Sequence, residues 1–341
     1  MTDPKDQLSA FTQPLSRDAS SLDANPAPLR FLYSRLPFLL KRSDQIVHAL
    51  HATIDTAGVT LPQAELLWLL AGCAPCSQIE LAREGGFDKS TAALIVANLV
   101  AAGWCSRSQD GSDRRRKLIA LQPAGQDLIG TLAAQFSDLQ QQLTAELGSD
   151  QRHRLARLLS RLAAFETQAA PPWLPRREPA AAAWHSQRLF ALPSFLIRRS
   201  LQIADGLMQR RCAPWGITAA QYAALFIVDQ YPGITQIGVA RALGWDASTT
   251  ALVLGKLSRR ELLVSRRCEA DRRQKRFDLT MPAHTVLSGV TPQVASLESE
   301  LHLLFTSAEL DFIIHCLNNV MTTHNEVVQV PLTYCGGNLM G

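Results

Sequence analysis

Apolar residues recur at helical spacing through most of this chain, and short polar turns separate the helical stretches. Over about 29–57 the apolar positions are Leu32, Leu36, Leu39, Leu40, Ile46, Val47, Leu50 and Ile54, which is the period of an amphipathic helix. Further helices are predicted from an N-cap at Thr60 to Leu70, over 78–83 behind Ser77, from Asp88 to near Gly103, over 123–147 and from Ser149 onward. Short strand-like runs occupy 118–121 and 277–279. The pattern predicts a mainly helical protein with small β elements.

A basic run before each strand-like segment shows that the pattern is repeated. Asp113-Arg114-Arg115-Arg116-Lys117 returns 158 positions later as Asp271-Arg272-Arg273-Gln274-Lys275-Arg276. The same offset holds without insertion from Thr60 to Leu121, and its identical pairs include Gln63/Gln221, Gln78/Gln236, Asp88/Asp246, Ser90/Ser248, Thr91/Thr249 and Leu99/Leu257. Self-similarity at one fixed offset indicates a tandem duplication of one domain.

A Pro- and Ala-rich stretch separates the two copies. We predict an N-terminal disordered arm at 1–28, a first repeat at 29–168, a linker at 169–186, a second repeat at 187–330 and a C-terminal tail at 331–341. At 341 residues the chain is long enough for a core in each repeat.

Composition excludes several classes of protein. The chain is 47% hydrophobic and 19% charged with a net charge of +4, so clustering of basic residues is more informative than their number. No uninterrupted apolar run approaches the ~18 residues of a membrane span, and the polar N-terminus does not resemble a secretory signal; we expect a cytoplasmic protein without membrane contact. Seven scattered cysteines do not form a disulfide scaffold. No metal site and no cofactor are predicted, and we find no spacing of catalytic groups that predicts an enzyme.

In each copy a short helix, a tight turn and a second helix precede the basic hairpin, which is the layout of a winged helix-turn-helix. The second helix needs small polar residues at its start, where base edges lie close, and the hairpin needs cations for the minor groove or its phosphates. Helix capping would explain the Ser and Thr residues equally well, and a single basic hairpin would be an ordinary solvated turn. Because both features occur twice, we predict DNA contacts from Lys89, Ser90, Thr91, Arg114, Arg115, Arg116, Lys117, Ser248, Thr249, Thr250, Arg272, Arg273, Lys275 and Arg276.

These motifs resemble the MarR family of bacterial transcription regulators. Asp113-Arg114-Arg115 with Leu121 and Gly125 resembles the family's wing signature, and Gln78-Ile79-Glu80-Leu81-Ala82 with Asp88-Lys89-Ser90-Thr91 resembles its helix-turn-helix. The first copy departs at Gln122, where Thr is usual, and the second at Ala283, where Gly is usual.

The resemblance implies an interlocked dimer and a regulated repressor. Family members are normally homodimers whose terminal helices interlock, so the fused repeats are expected to form a single-chain pseudo-dimer joined through a helical region, with further dimerisation left open. Apolar stripes fit this arrangement, as they would fit any buried core: Leu143, Leu147, Leu155, Leu159 and Leu162 in the first copy, and Leu301, Leu304, Phe305, Ile313, Leu317 and Val320 in the second. The second helices of the two helix-turn-helix motifs are unequal. At the offset of 158, Lys89 aligns with Ala247, Ala92 with Thr250 and Asn98 with Lys256. This difference predicts an asymmetric operator.

The same resemblance implies how DNA binding is regulated. A small aromatic or phenolic ligand is expected to release the DNA, with candidate contacts at Arg42, His48, His51, Trp68, Arg199, Met208 and Trp215. One alternative is thiol-based redox control through Cys73 and Cys76, although the second copy has Tyr231 in place of Cys73. Another is a scaffold in which only one repeat binds DNA.

Overall fold

The computed structural model describes residues 22, 24–72, 75–110, 117–165, 189–267, 274–301 and 303–332. These residues form two compact units that do not coincide with the two sequence repeats. The larger unit contains Ser34–Arg211 and Val294–Val328, and the smaller unit contains the described residues up to Tyr33, Cys212–Gln293 and those from Gln329 onward. Each unit therefore combines chain from both repeats.

The first repeat alternates helices with three short strands. Its elements are α1 (Ala27–Tyr33), α2 (Leu36–Ile54), α3 (Leu61–Ala71), β1 (Cys76–Ser77), α4 (Gln78–Gly85), α5 (Lys89–Ala101), β2 (Cys105–Gln109), β3 (Lys117–Leu121), α6 (Pro123–Leu143) and α7 (Ser149–Ala163). Thr60 is the N-cap of α3, and its backbone N–H donates to Gln63 at 2.9 Å, as the sequence predicted.

The second repeat has the same order. It contains α8 (Pro193–Cys212), a 3-10 turn at Ala213–Trp215, α9 (Ala219–Gln230), β4 (Ile234–Thr235), α10 (Gln236–Leu243), α11 (Ala247–Arg259), β5 (Leu263–Arg267), β6 (Lys275–Leu279), α12 (Met281–Ala295), α13 (Leu297–Leu301) and α14 (Ser307–Thr323). The predicted fold class, mainly helical with small β-wings, is confirmed.

Two local predictions were wrong. The stretch expected to be one helix over 29–57 is two helices, because Pro37 stands in the first turn of α2 and Arg35 before it has extended backbone. The sequence also favours a Pro-containing loop from Cys73 to Cys76, but Cys76 begins a strand, since Cys76 and Ser77 pair with Ile119 and Leu118 of β3. A two-residue strand has no sequence periodicity, and it is defined only by its distant partner.

Each winged domain carries a three-stranded antiparallel sheet. The strand orders are β1-β3-β2 and β4-β6-β5, so the central strand in each is the one that follows the basic run. Ile119 on β3 and Phe277 on β6 are buried at the centres of these sheets. The sheets thereby anchor both basic hairpins to the helices beneath them.

Helices of both repeats build the core of the larger unit. The second repeat's α14 packs against α2 and α7 of the first repeat. Leu143, Leu147, Leu155, Leu159 and Leu162 are buried there, as are Leu301, Phe305, Ile313, Leu317 and Val320 of the other repeat, whereas Leu304 is half-buried.

Polar contacts join the same two repeats within this unit. Arg161 on α7 forms an ion pair of 2.6 Å with Glu309 on α14 and donates to the carbonyl of Leu304. The His324 ring lies 3.0 Å from the carbonyl oxygen of Gln142.

In the smaller unit, α1 of the first repeat packs on the winged domain of the second. The Tyr33 hydroxyl donates to the carbonyl of Ala242 at 2.9 Å, and the rings of Phe31 and Phe226 lie 5.8 Å apart. Across the described ranges of both units, no helix is long and apolar enough to cross a membrane.

Candidate DNA-binding surface

The helix-turn-helix of the first repeat is built by three local signals. Ser77 and Glu80 form a capping box at the start of α4, with Ser77 N–H donating to Glu80 at 2.7 Å. Gly86 ends that helix with φ of 67°, a left-handed conformation that favours glycine. Asp88 then caps α5. The turn between the two helices is therefore set by residues whose backbone preferences agree with it.

The second repeat reaches the same geometry with different residues. Thr235 caps α10, Gly244 ends it with φ of 64°, and Asp246 caps α11. We call α5 and α11 the reading helices, since they occupy the position that enters the major groove in this class of domain.

Each reading helix has one exposed face. In α5 this face carries Lys89, Ser90, Thr91, Leu94 and Asn98, and in α11 it carries Ala247, Ser248, Leu252 and Lys256 beside the half-buried Thr249. Leu94 and Leu252, at equivalent positions, are 64% and 55% exposed. Sequence reasoning missed these leucines because a Leu within an apolar period is normally assigned to the core.

Thr250 is a correction to the predicted contacts. Its side chain is completely buried, and its hydroxyl donates to the Asp246 carbonyl at 2.8 Å. Ala92, at the equivalent position, is also completely buried. The difference between these two residues therefore lies in the core, and it does not contribute to the difference between the two exposed faces.

The capping carboxylates orient the hydroxyls beside them. Asp88 accepts from the hydroxyls and backbone N–H groups of Ser90 and Thr91, and these hydrogen bonds hold its pKa well below its usual range. Hydrogen bonds from Ser248 and Thr249 likewise lower the pKa of Asp246 to about 2. An ionised carboxylate can only accept, so each hydroxyl donates its hydrogen bond to the capping carboxylate and keeps its lone pairs as acceptors. The helix caps are therefore Asp88 and Asp246, and the Ser and Thr hydroxyl oxygens beside them remain able to accept.

We predict that Asp88→Ala and Asp246→Ala each lower the free energy of unfolding by about 1 kcal/mol at neutral pH. Because the folded-state pKa of each group is lowered, its stabilisation is present above the unfolded pKa and is lost as pH falls through the folded value. Urea unfolding should therefore show a smaller loss at pH 3 than at pH 7. The Asp→Asn variants are the control, since they keep an acceptor and should retain most of the stability; equal losses at both pH values would contradict the prediction.

The tips of both wings lie outside the described residues, among them Arg114, Arg115, Arg116, Arg272 and Arg273. At the described bases, Lys117 and Lys275 are exposed. Arg276 is half-buried, and its guanidinium donates to the Gly233 carbonyl at 2.9 Å, so it supports the turn before β4. Arg266 and Arg267 on β5 are exposed cations that sequence reasoning missed, and Arg266 is paired with Asp278 at 2.6 Å.

Six of the seven predicted ligand contacts lie in the larger unit, where Arg42, His51 and Arg199 are buried, Trp68 and Met208 are half-buried and His48 is exposed. The Arg42 guanidinium donates to Asn325 at 3.0 Å, and Trp68 packs edge-on against Phe136. Burial lowers the pKa of His51. Trp215 lies in the smaller unit, under Gly289. Six of these residues therefore belong to the larger unit and Trp215 belongs to the smaller one.

The predicted redox pair is described only in part. Cys73 lies outside the described residues, whereas Cys76 is half-buried in β1. Burial raises the pKa of the Cys105 and Cys316 thiols to about 11, so these two remain protonated and unreactive at neutral pH. Within the described ranges no group of three His, Cys, Asp or Glu residues could hold a metal ion.

The helix-turn-helix followed by a basic antiparallel hairpin defines a winged-helix protein of the DNA-binding class, present twice in one chain. Comparison with known families gives the same result at both positions: residues 59–117 and 217–275 each match the MarR family. The chain belongs to the MarR family of transcription regulators, as a tandem duplication.

Similar solved structures are also regulators. A probable transcriptional regulator from Pseudomonas aeruginosa is 32% identical, with 38% of this chain and 96% of that chain covered and a TM-score of 0.37. The PcaV regulator from Streptomyces coelicolor, in complex with its natural ligand, is 26% identical over 42% of this chain and 96% of its own, with a TM-score of 0.36. The repressor CouR, bound to a 23-mer DNA duplex, is 26% identical over 39% of this chain and 94% of its own, with a TM-score of 0.37.

Proposed function

We propose that this protein is a cytoplasmic transcriptional repressor that binds one asymmetric operator as a single-chain pseudo-dimer. The repeats at 29–168 and 187–330 take the place of the two subunits of an ordinary family dimer. The observation that carries the proposal is the pair of capped reading helices, each with an exposed polar start and a basic hairpin behind it.

Contacts across the repeats within the larger unit support the pseudo-dimer. The final helices of the two repeats, α7 and α14, pack against each other, and Arg161 and Glu309 link them by an ion pair. On α8, the Ser200 hydroxyl donates to the carbonyl of Leu159 at 3.3 Å. A core that needs helices from both repeats cannot be completed by one repeat alone, which is the condition for a fused dimer.

The exposed faces of the reading helices support direct contact with bases. Hydroxyls held as acceptors by Asp88 and Asp246 are suited to base amino groups, namely N4 of cytosine and N6 of adenine, and unsuited to phosphate oxygens, which only accept. The exposed Leu94 and Leu252 lie one turn further on, where an apolar side chain suits the methyl group of thymine.

We predict that Arg115→Ala and Arg273→Ala each weaken operator binding about tenfold and reduce the slope of log affinity against log salt by about 1, because each removes one contact to the DNA backbone or minor groove. Electrophoretic shift with each variant, repeated at several salt concentrations, measures both effects. Arg157→Ala is the matched control, since Arg157 is an exposed cation on α7 and its loss changes net charge equally. Unchanged affinity in both wing variants would overturn the wing assignment.

The same experiment separates the proposal from a scaffold with one DNA-binding repeat. A scaffold would respond to only one of the two wing substitutions. Lys275 in the second wing is exposed like Lys117 in the first, which favours two active wings.

Release of DNA by a small aromatic or phenolic ligand is the regulatory part of the proposal. It is supported by the family membership and by the buried arginines Arg42 and Arg199, which are suited to an anionic group. The alternative is thiol control through Cys73 and Cys76. Thermal-shift screening of small aromatic acids, with and without reductant, discriminates them, since a ligand raises the melting temperature independently of reductant.

A further inference from the structure

A buried arginine of the second repeat contacts the helix-turn-helix of the first. Arg198 on α8 is 8% exposed, and its Nη2 lies 2.7 Å from Glu65 Oε2 on α3 and 2.7 Å from the carbonyl oxygen of Gly85. The guanidinium also lies over the Phe87 ring, 4.5 Å from its centroid. Glu65 is 1% exposed; burial raises the pKa of its carboxyl, and Arg198 opposes that rise. Both side chains of this ion pair are buried.

The location of this contact relates it to DNA binding. Gly85 is the last residue of α4, Gly86 and Phe87 form the turn to the reading helix α5, and the capping residue Asp88 follows directly. Gln202 of α8 adds a hydrogen bond of 2.8 Å to the Gly86 carbonyl. The carbonyls at a helix end carry partial negative charge and need donors, which α8 supplies here. Arg198 and Gln202 of α8 thus donate to the carbonyls directly before the start of α5.

The Arg199 side chain of α8 packs closely over this turn. A Cβ added to Gly86 would lie 2.4 Å from Nη1 of Arg199. The turn and α8 are packed against each other, so the Arg198 contact belongs to a fitted interface within the larger unit.

The pseudo-symmetric half of the protein lacks both members of the pair. Arg42-Ser43 and Gln45-Ile46 recur 157 positions later as Arg199-Ser200 and Gln202-Ile203, which aligns Arg198 with Lys41. Glu65 aligns with Ala223 at the offset of 158. Lys41 is exposed, and an alanine offers no carboxylate.

In the smaller unit, an uncharged side chain contacts the end of the helix that precedes the second reading helix. The last turn of α10 accepts a hydrogen bond from Tyr33, whose hydroxyl donates to the Ala242 carbonyl at 2.9 Å. The first reading helix is thus supported through an ion pair and the second through a phenol.

We propose that Arg198 is a positioning residue through which the second repeat holds the reading helix of the first, and that the Glu65–Arg198 ion pair has no counterpart at the aligned positions Lys41 and Ala223. The proposal rests on the proposed function for its effect on DNA, and on the contacts alone for its effect on α5. Removing one partner of a buried ion pair destabilises a protein strongly, because the other charge stays buried and unpaired. Replacing both partners by apolar residues of similar volume is often neutral, so Glu65 and Arg198 can be replaced together.

The test uses the full-length double variant Glu65→Leu/Arg198→Met. Arg198→Met alone leaves a buried carboxylate unpaired and is expected to unfold readily, whereas the double variant should keep a melting temperature close to that of the unchanged protein. Hydrogen exchange is then compared between 85–101 and 243–259 in the same sample. We expect exchange over 85–101 to become about tenfold faster because the turn before α5 loses the Arg198 donor and keeps only that of Gln202, with 243–259 unchanged. Arg198→Lys, which keeps the positive charge but loses the planar guanidinium, should lie between the two proteins.

Operator binding supplies the second readout. The double variant should bind about tenfold more weakly, with footprint protection reduced over the half-site that Lys89→Ala also weakens. Tyr33→Phe is the matched control on the other side, and it should affect only 243–259. Equal acceleration of both segments, or of neither, in the folded double variant would overturn the proposal. Failure of the unchanged protein to bind DNA would overturn the proposed function instead, while the exchange comparison still decides the role of Arg198.

Discussion

An operator that contains either half-site twice should bind this protein about ten- to a hundredfold more weakly than the natural operator, because each mismatched base pair costs roughly 1–3 kcal/mol. The exposed faces of the reading helices differ at Lys89 against Ala247 and at Asn98 against Lys256. A Lys at the first position of α5 and a Lys in the last turn of α11 place their charges at opposite ends of the reading helix. Each face should therefore prefer its own sequence.

The measurement compares the footprinted natural operator with two symmetrised versions, one for each half-site. The double variant Ala247→Lys/Lys256→Asn is the control that makes the second face like the first at these two positions. It should reverse the preference and bind the operator that carries the first half-site twice. Equal binding of all three operators by the unchanged protein would show that the difference between the repeats is not read.

Gly125→Ala should destabilise the protein by about 1–3 kcal/mol, the usual cost of overpacking a well-packed site. Helix propensity alone predicts the opposite sign, a gain of about 1 kcal/mol. The steric clash outweighs the gain in helix propensity, because a Cβ at Gly125 would lie 2.2 Å from the backbone carbonyl oxygen of Trp104. That oxygen also accepts from the N–H of Gln122 at 2.9 Å, so it cannot move away without loss.

Two other positions test this explanation. Gly130 lies in the same helix, is exposed, and has no atom within 4 Å of an added Cβ; Gly130→Ala should stabilise the protein by about 0.5–1 kcal/mol. In the second repeat the equivalent of Gly125 is the buried Ala283, and there the hydrogen bond from Thr280 to Leu262 is longer, at 3.3 Å. That repeat has made room for the methyl group. Chemical denaturation of both variants measures the two signs, and a Gly125→Ala protein more stable than the unchanged one would contradict the steric argument.

The sequence by itself determined the duplication, the fold class, the family and the reading-helix starts. These depend on local signals, namely apolar period, capping residues and left-handed glycines, which act within a few residues of one another. Asp88 and Asp246 illustrate this: each caps a helix through hydrogen bonds to the next two or three residues, so their role could be predicted without the fold.

Only the tertiary structure decided which residues of the reading helices are exposed and which distant residues support them. Thr250 was predicted at the DNA surface and is buried, whereas Leu252, two residues on, is exposed, because the packing of α11 on its own domain sets the rotation of the helix. The pairing of Glu65 with Arg198 joins positions 133 residues apart. Local signals contain no record of such a contact, since it exists only once the second repeat's first helix packs against the first repeat's turn.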